Sequence, residues 1–203
     1  MTQPQKGKPI EQKPSLFNSK FVLAGLSVVA VFTLAALNRL VGGDEGYYLY
    51  AAKLVSQGQV LYKDFFYTQM PLLPYVFGAW MKIFGTSWLS ARLLCALLGI
   101  GTGVLLAFSV PHKDRPLALL LYAFCAACFG EFSQGKTYAL TSLLLVGALM
   151  LISGKRMLGA GILLGLAVLT RLMMLVTVPI FVVYLLRTGG GGRSRLPAYW
   201  LVR

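Results

Sequence analysis

Charge is scarce in this chain, and acid scarcest of all: 12% of its 203 residues are charged, with six Asp and Glu against 19 Lys and Arg. An ordinary soluble domain is about 25% charged and about 45–50% apolar. Here 57% of residues are hydrophobic, which excludes a conventional soluble fold and predicts a multi-span membrane protein. The net charge of +13 does not point to nucleic acid, because the basic residues fall in short clusters between apolar runs and form no continuous stripe. Cysteine is also sparse. Cys95, Cys125 and Cys128 lie inside apolar runs, and Cys125-x-x-Cys128 has no second pair and no nearby His. They read as small core residues, and no ligand set for a metal or other cofactor stands out. The first apolar run is followed by no small-residue cleavage site, so it reads as a retained span and not as a signal peptide.

The apolar runs set out an all-α, polytopic membrane helical bundle. At 1.5 Å per residue, residues 21–41 cross a hydrocarbon core of about 30 Å. Further spans are expected over residues 88–110, 116–130, 137–153, 157–170 and 172–186, which gives six. Residues 71–84 are apolar but short, and suit an interfacial or re-entrant helix. If they do not cross, Lys113, Arg115, Lys155, Arg156 and Arg187 share one side with the Lys-rich amino terminus. The positive-inside tendency then places both termini in the cytoplasm, in a cytoplasmic membrane. The expected layout is a basic tail at 1–20, a membrane domain at 21–187 with an external loop at 42–87, and a Gly/Arg-rich tail at 188–203.

Two of the rare acids stand side by side at the start of that external loop, in Gly42-Gly43-Asp44-Glu45-Gly46-Tyr47-Tyr48. Tyr47, Tyr48, Tyr50, Ala51, Ala52 and Leu54 then recur at helical spacing, so the pair opens a short interfacial helix with Asp44 as its expected N-cap. Capping and the helix dipole would account for both acids. An ionisable pair at a bilayer edge is nonetheless a functional-site candidate. The same face is expected to carry Arg92, Lys136 and Arg171. Cations beside carboxylates in a low dielectric suit an anionic lipid headgroup, with Arg forking onto phosphate oxygens and Lys adding a point charge. A nearby carboxylate can take a proton from an acceptor hydroxyl or amine. Snorkelling of the basic side chains to the interface is the plainer alternative.

Several blocks carry a resemblance: Asp44-Glu45-Gly46-x-Tyr48, Gly58-x-x-x-Tyr62-x-Asp64, Gln69-Met70-Pro71-Leu72 and Phe84-Gly85-x-Ser87-x-x-x-x-Arg92-Leu93. Together they resemble the first external loop of GT-C membrane glycosyltransferases, in the branch of protein O-mannosyltransferases and lipid A aminoarabinose transferases. Gly161-x-x-x-Gly165-Leu166-Ala167-x-Leu169-Thr170-Arg171 resembles a later span of the same family. The resemblance implies an inverting glycosyltransferase that uses a polyprenyl-phosphate-linked sugar and passes it to a lipid, glycan or protein acceptor outside the cytoplasmic membrane. It puts the catalytic base on Asp44 and donor-phosphate contacts on Gln69 and Arg92, while the charge pattern of the external face adds Glu45 in support and Lys63, Lys136 and Arg171 as further phosphate contacts. Many members have Lys-Pro-Pro where this chain has Gln69-Met70-Pro71, and an Asp after the third span where it has Glu131. Members also commonly run much longer, so an amino-terminal portion is expected. Two other classes stay open: a transporter or flippase of a lipid-linked precursor, which would call for internal repeats, and a membrane subunit without chemistry.

Overall fold

The computed structural model describes residues 19–189 apart from 39 and 41, so the basic amino-terminal tail and most of the Gly/Arg-rich tail lie outside the described residues. Within them the fold is all-α. Its helices are α1 (Ser19–Asn38), α2 (Glu45–Ser56), α3 (Leu72–Phe84), α4 (Trp88–Ser109), α5 (Arg115–Ala123), α6 (Ala126–Phe132), α7 (Thr137–Ser153), α8 (Met157–Thr170) and α9 (Thr177–Gly189). No strand forms among the described residues beyond an isolated bridge between Leu61 and Phe65. By length and composition α1 and α4 are long and apolar enough to cross a membrane, whereas α3, α7, α8 and the 172–187 segment are shorter apolar helices.

Two interior clusters organise the bundle. Phe32 of α1 stacks on Tyr122 of α5 with ring centroids 5.2 Å apart, and α4 closes the group through Ala96 and Ala107. The second cluster joins α2, α3, α4 and α7 through Leu49, Phe77, Leu94 and Leu140. Within it α2 and α3 form a hairpin that packs backbone to backbone at Gly78. A Cβ there would lie 3.0 Å from the carbonyl oxygen of Ala52 and 2.9 Å from Val55. Such contacts force a backbone shift, so glycine sets the closeness of the hairpin. Ser87 caps α4 by accepting from the Ser90 N–H at 3.0 Å. The Trp80 indole N–H donates to the Ser90 carbonyl at 2.9 Å and ties α3 to the same turn.

The segment from α2 to α3 is ordered by its own side chains. Asp64 accepts from the Val60 N–H at 2.7 Å, and the Tyr62 hydroxyl donates to the Gln69 carbonyl at 2.6 Å. Tyr62 sits at φ 66, a left-handed conformation that a bulky side chain adopts only when its surroundings impose it. Tyr67 is buried and stacks on Tyr47 at 5.2 Å, while the Tyr47 hydroxyl accepts from the Thr68 N–H at 2.8 Å.

Two apolar runs are not the single helices that their composition suggests. The expected span over 116–130 breaks at Phe124 and Cys125 into α5 and α6, and Glu131 and Phe132 are helical instead of starting a polar loop. The break re-aims the chain so that Phe132 packs on both Phe32 and Tyr122, with centroids 6.4 and 6.3 Å away. The run from Leu172 begins as a 3-10 turn, Leu172–Val176, before α9. Pro179 explains the division: a continuous α-helix would lose its hydrogen bond to the Leu175 carbonyl and meet it sterically, whereas the first turn of a new helix accommodates proline.

Candidate functional site

The site grows from the turn that precedes α2. The Glu45 N–H donates to the Gly42 carbonyl at 3.0 Å, and the chain enters the helix at the carboxylate pair. The two acids then part. Glu45 is fully buried. Its Oε1 accepts from Arg92 Nε at 2.9 Å and from the Gly135 N–H at 2.8 Å. Its Oε2 accepts from Arg92 Nη2 at 2.8 Å and from the Gly42 N–H at 3.4 Å. Burial by itself would raise the pKa of this carboxyl, but the Arg92 and backbone hydrogen bonds outweigh it and hold the pKa below its ordinary value. One charge thus joins α2, α4 and the turn before α7.

Asp44 occupies the N-cap position, but its side chain makes no capping hydrogen bond. It is exposed and lines a cavity of about 370 Å³. One wall comes from the first loop and α2, with Asp44, Tyr48, Thr68, Gln69 and Met70. The lining is also cationic: it includes Lys136 before α7 and Arg171 after α8, with Tyr138 and Met173. Lys136 Nζ lies 3.5 Å from a Glu131 carboxylate oxygen. The Arg171 guanidinium lies over the ring of Tyr138, 4.4 Å from its centroid. Burial, aided by the Asp44 charge, pushes the Tyr48 phenol above its ordinary pKa, while Arg171 pulls the other way, so the hydroxyl stands in the field of both.

Of the residues singled out from sequence, the fold brings Asp44, Gln69, Lys136 and Arg171 to one cavity. Lys63 does not line it and lies exposed in the turn that Asp64 closes. Arg92, expected as a phosphate clamp, is 6% exposed and bonded to Glu45 through two nitrogens. Desolvated and neutralised by a carboxylate, it lies inside the protein and does not line the cavity. Glu45 likewise touches Arg92 and backbone and does not line the cavity. Sequence reasoning did not single out Tyr138 or Thr68; Tyr138 stands two residues after Lys136, with no pattern of its own. Among the described residues, no three His, Cys, Asp or Glu side chains are close enough to hold a metal ion.

The geometry supplies an exposed carboxylate and two cations lining one cavity at the helix ends. A carboxylate there can accept a proton, and the cations can hold an anion beside it. No family model, curated protein or solved structure matches the chain.

Proposed function

We propose that the cavity is the transfer site of a membrane glycosyltransferase of the GT-C kind, using a polyprenyl-phosphate-linked sugar. One observation carries the reading: Asp44, Gln69, Lys136 and Arg171, scattered along the sequence, line the same cavity. Arg171 and Lys136 hold the donor phosphate. Asp44 takes the proton from the acceptor hydroxyl or amine as its oxygen or nitrogen attacks the anomeric carbon from the face opposite the phosphate. The bond from that carbon to the phosphate oxygen breaks, its electron pair stays on the phosphate, and the sugar is inverted. The acceptor is a lipid, glycan or protein outside the cytoplasmic membrane.

The topology that serves this chemistry has six crossings, by α1, α4, α5 with α6, α7, α8 and the segment ending in α9. Residues 42–87 and the cavity lie outside, with both termini in the cytoplasm. The α2 and α3 hairpin rides at the interface, in line with exposed Tyr50, Ile83 and Phe84 on these two helices.

The decisive experiment is Asp44→Asn in nanodiscs, supplied with a polyprenyl-phosphate-linked sugar and scored for sugar transfer. Loss of the base lowers transfer by about a hundredfold or more with the melting temperature unchanged. Transfer at the parent level would end the reading of Asp44 as the base.

A further inference from the structure

We infer that Tyr138 is a positioning residue that sets where the Arg171 guanidinium stands in the cavity; this rests on the proposed reading of Arg171 as a phosphate contact. Three observations converge. Arg171 stands at the junction between α8 and the 3-10 turn at Leu172–Val176, in an extended conformation with φ −150 and ψ 118. The guanidinium makes no ion pair among the described residues, unlike Arg92 on Glu45 and Lys136 on Glu131. What it does meet is the face of Tyr138, 4.4 Å from the ring centroid, on the first turn of α7.

A ring face attracts a guanidinium without consuming its N–H donors, which lie in the guanidinium plane. A carboxylate at the same place would fix the cation equally well but would take up the fork and cancel the charge, as Glu45 does for Arg92. Tyr138 therefore holds Arg171 while leaving its donors and its charge for an incoming anion. The cavity needs that arrangement, because Arg171 comes from α8 while Lys136 and Asp44 come from other segments. The ring of Tyr138, two residues beyond Lys136, is what meets the Arg171 guanidinium on the helix that Lys136 precedes. Tyr138 touches no reacting atom in this account and acts through Arg171.

The test is binding of undecaprenyl phosphate to the full chain in phosphatidylcholine nanodiscs, a probe that carries the phosphate and no sugar. Tyr138→Phe keeps the ring face and binds like the parent. Tyr138→Leu weakens binding by about fivefold, within the usual range for a partly desolvated cation over a ring. In the Arg171→Ala background, which binds more weakly, Tyr138→Leu has no additional effect. Replacing Tyr138 with progressively fluorinated phenylalanines, which drain the ring face at nearly constant shape, lowers affinity step by step and serves where Tyr138→Leu folds poorly. Affinity that ignores fluorination, or equal losses from Tyr138→Leu with and without Arg171, would overturn the positioning role while leaving Arg171 as a phosphate contact. Parent-level binding by Arg171→Ala would overturn both readings, and is thereby told apart from failure of the Tyr138 inference alone.

Discussion

Glu45 and Arg92, 47 positions apart in sequence, form a buried two-point pair with hydrogen bonds of 2.9 and 2.8 Å. Removing one partner strands a desolvated charge, so Arg92→Ala costs about 3–5 kcal/mol of stability. Glu45→Leu with Arg92→Met recovers much of that loss, because neither charge is then left alone. Thermal unfolding of the two single variants and the double variant in one detergent gives the coupling directly. Strict additivity would mean that the pair is not a unit.

The same carboxyl predicts an acid-sensitive fold. Its folded pKa lies below the ordinary 4.5, so its contribution is complete above that value and is lost as pH falls through the lower folded one. Parent protein should lose stability on acidification below about pH 4.5. Glu45→Gln, less stable at neutral pH, should show a shallower acid dependence over the same interval. Parallel slopes would assign the acid effect to other groups.

Gly135 is expected to tolerate no side chain. An added Cβ would lie 2.7 Å from Leu49 Cδ2 and 2.9 Å from Leu49 Cγ, so the buried Leu49 side chain or the turn that holds Glu45 would have to shift. Gly135→Ala costs about 1–3 kcal/mol by overpacking. Leu49→Ala in the same chain relieves part of the clash, which melting curves of both variants would reveal as a non-additive pair.

The proposed six-crossing topology predicts sidedness. In a variant whose three cysteines are replaced, a single Cys at Gln57 reacts with an impermeant thiol reagent added outside intact cells. One at Ser153 or Arg187 does not. Labelling at 187 with protection at 57 would invert the orientation.

Local structure was legible wherever residue chemistry changed abruptly. Gly42-Gly43 before two acids marks the start of α2, and the bounds of α7 and α8 follow Lys136 and the Lys155-Arg156 break. The interruption at Phe124 and Cys125 was hidden because a uniformly apolar run has no glycine, proline or charge there to signal it. The site was half legible. Asp44, Lys136 and Arg171 show themselves as ionisable groups at the ends of apolar runs. The partner of Arg92 does not, since no periodicity connects a residue on α4 with one at the start of α2. From sequence, a cation held in reserve for a ligand and one already neutralised look the same.

The hydrogen bond from the Gly135 N–H to Glu45 has a consequence for how the chain can vary. Asp44 precedes one end of that bond and Lys136 follows the other. The bond thus works as a gauge block: it sets the gap between Asp44 and Lys136 from immediately beside each, together with Arg92 of α4, which holds the same carboxylate. Insertions or deletions in the turn between α2 and α3 alter the rim of the cavity without altering that gap. The rim is free to diversify while the spacing of Asp44 and Lys136 stays constant.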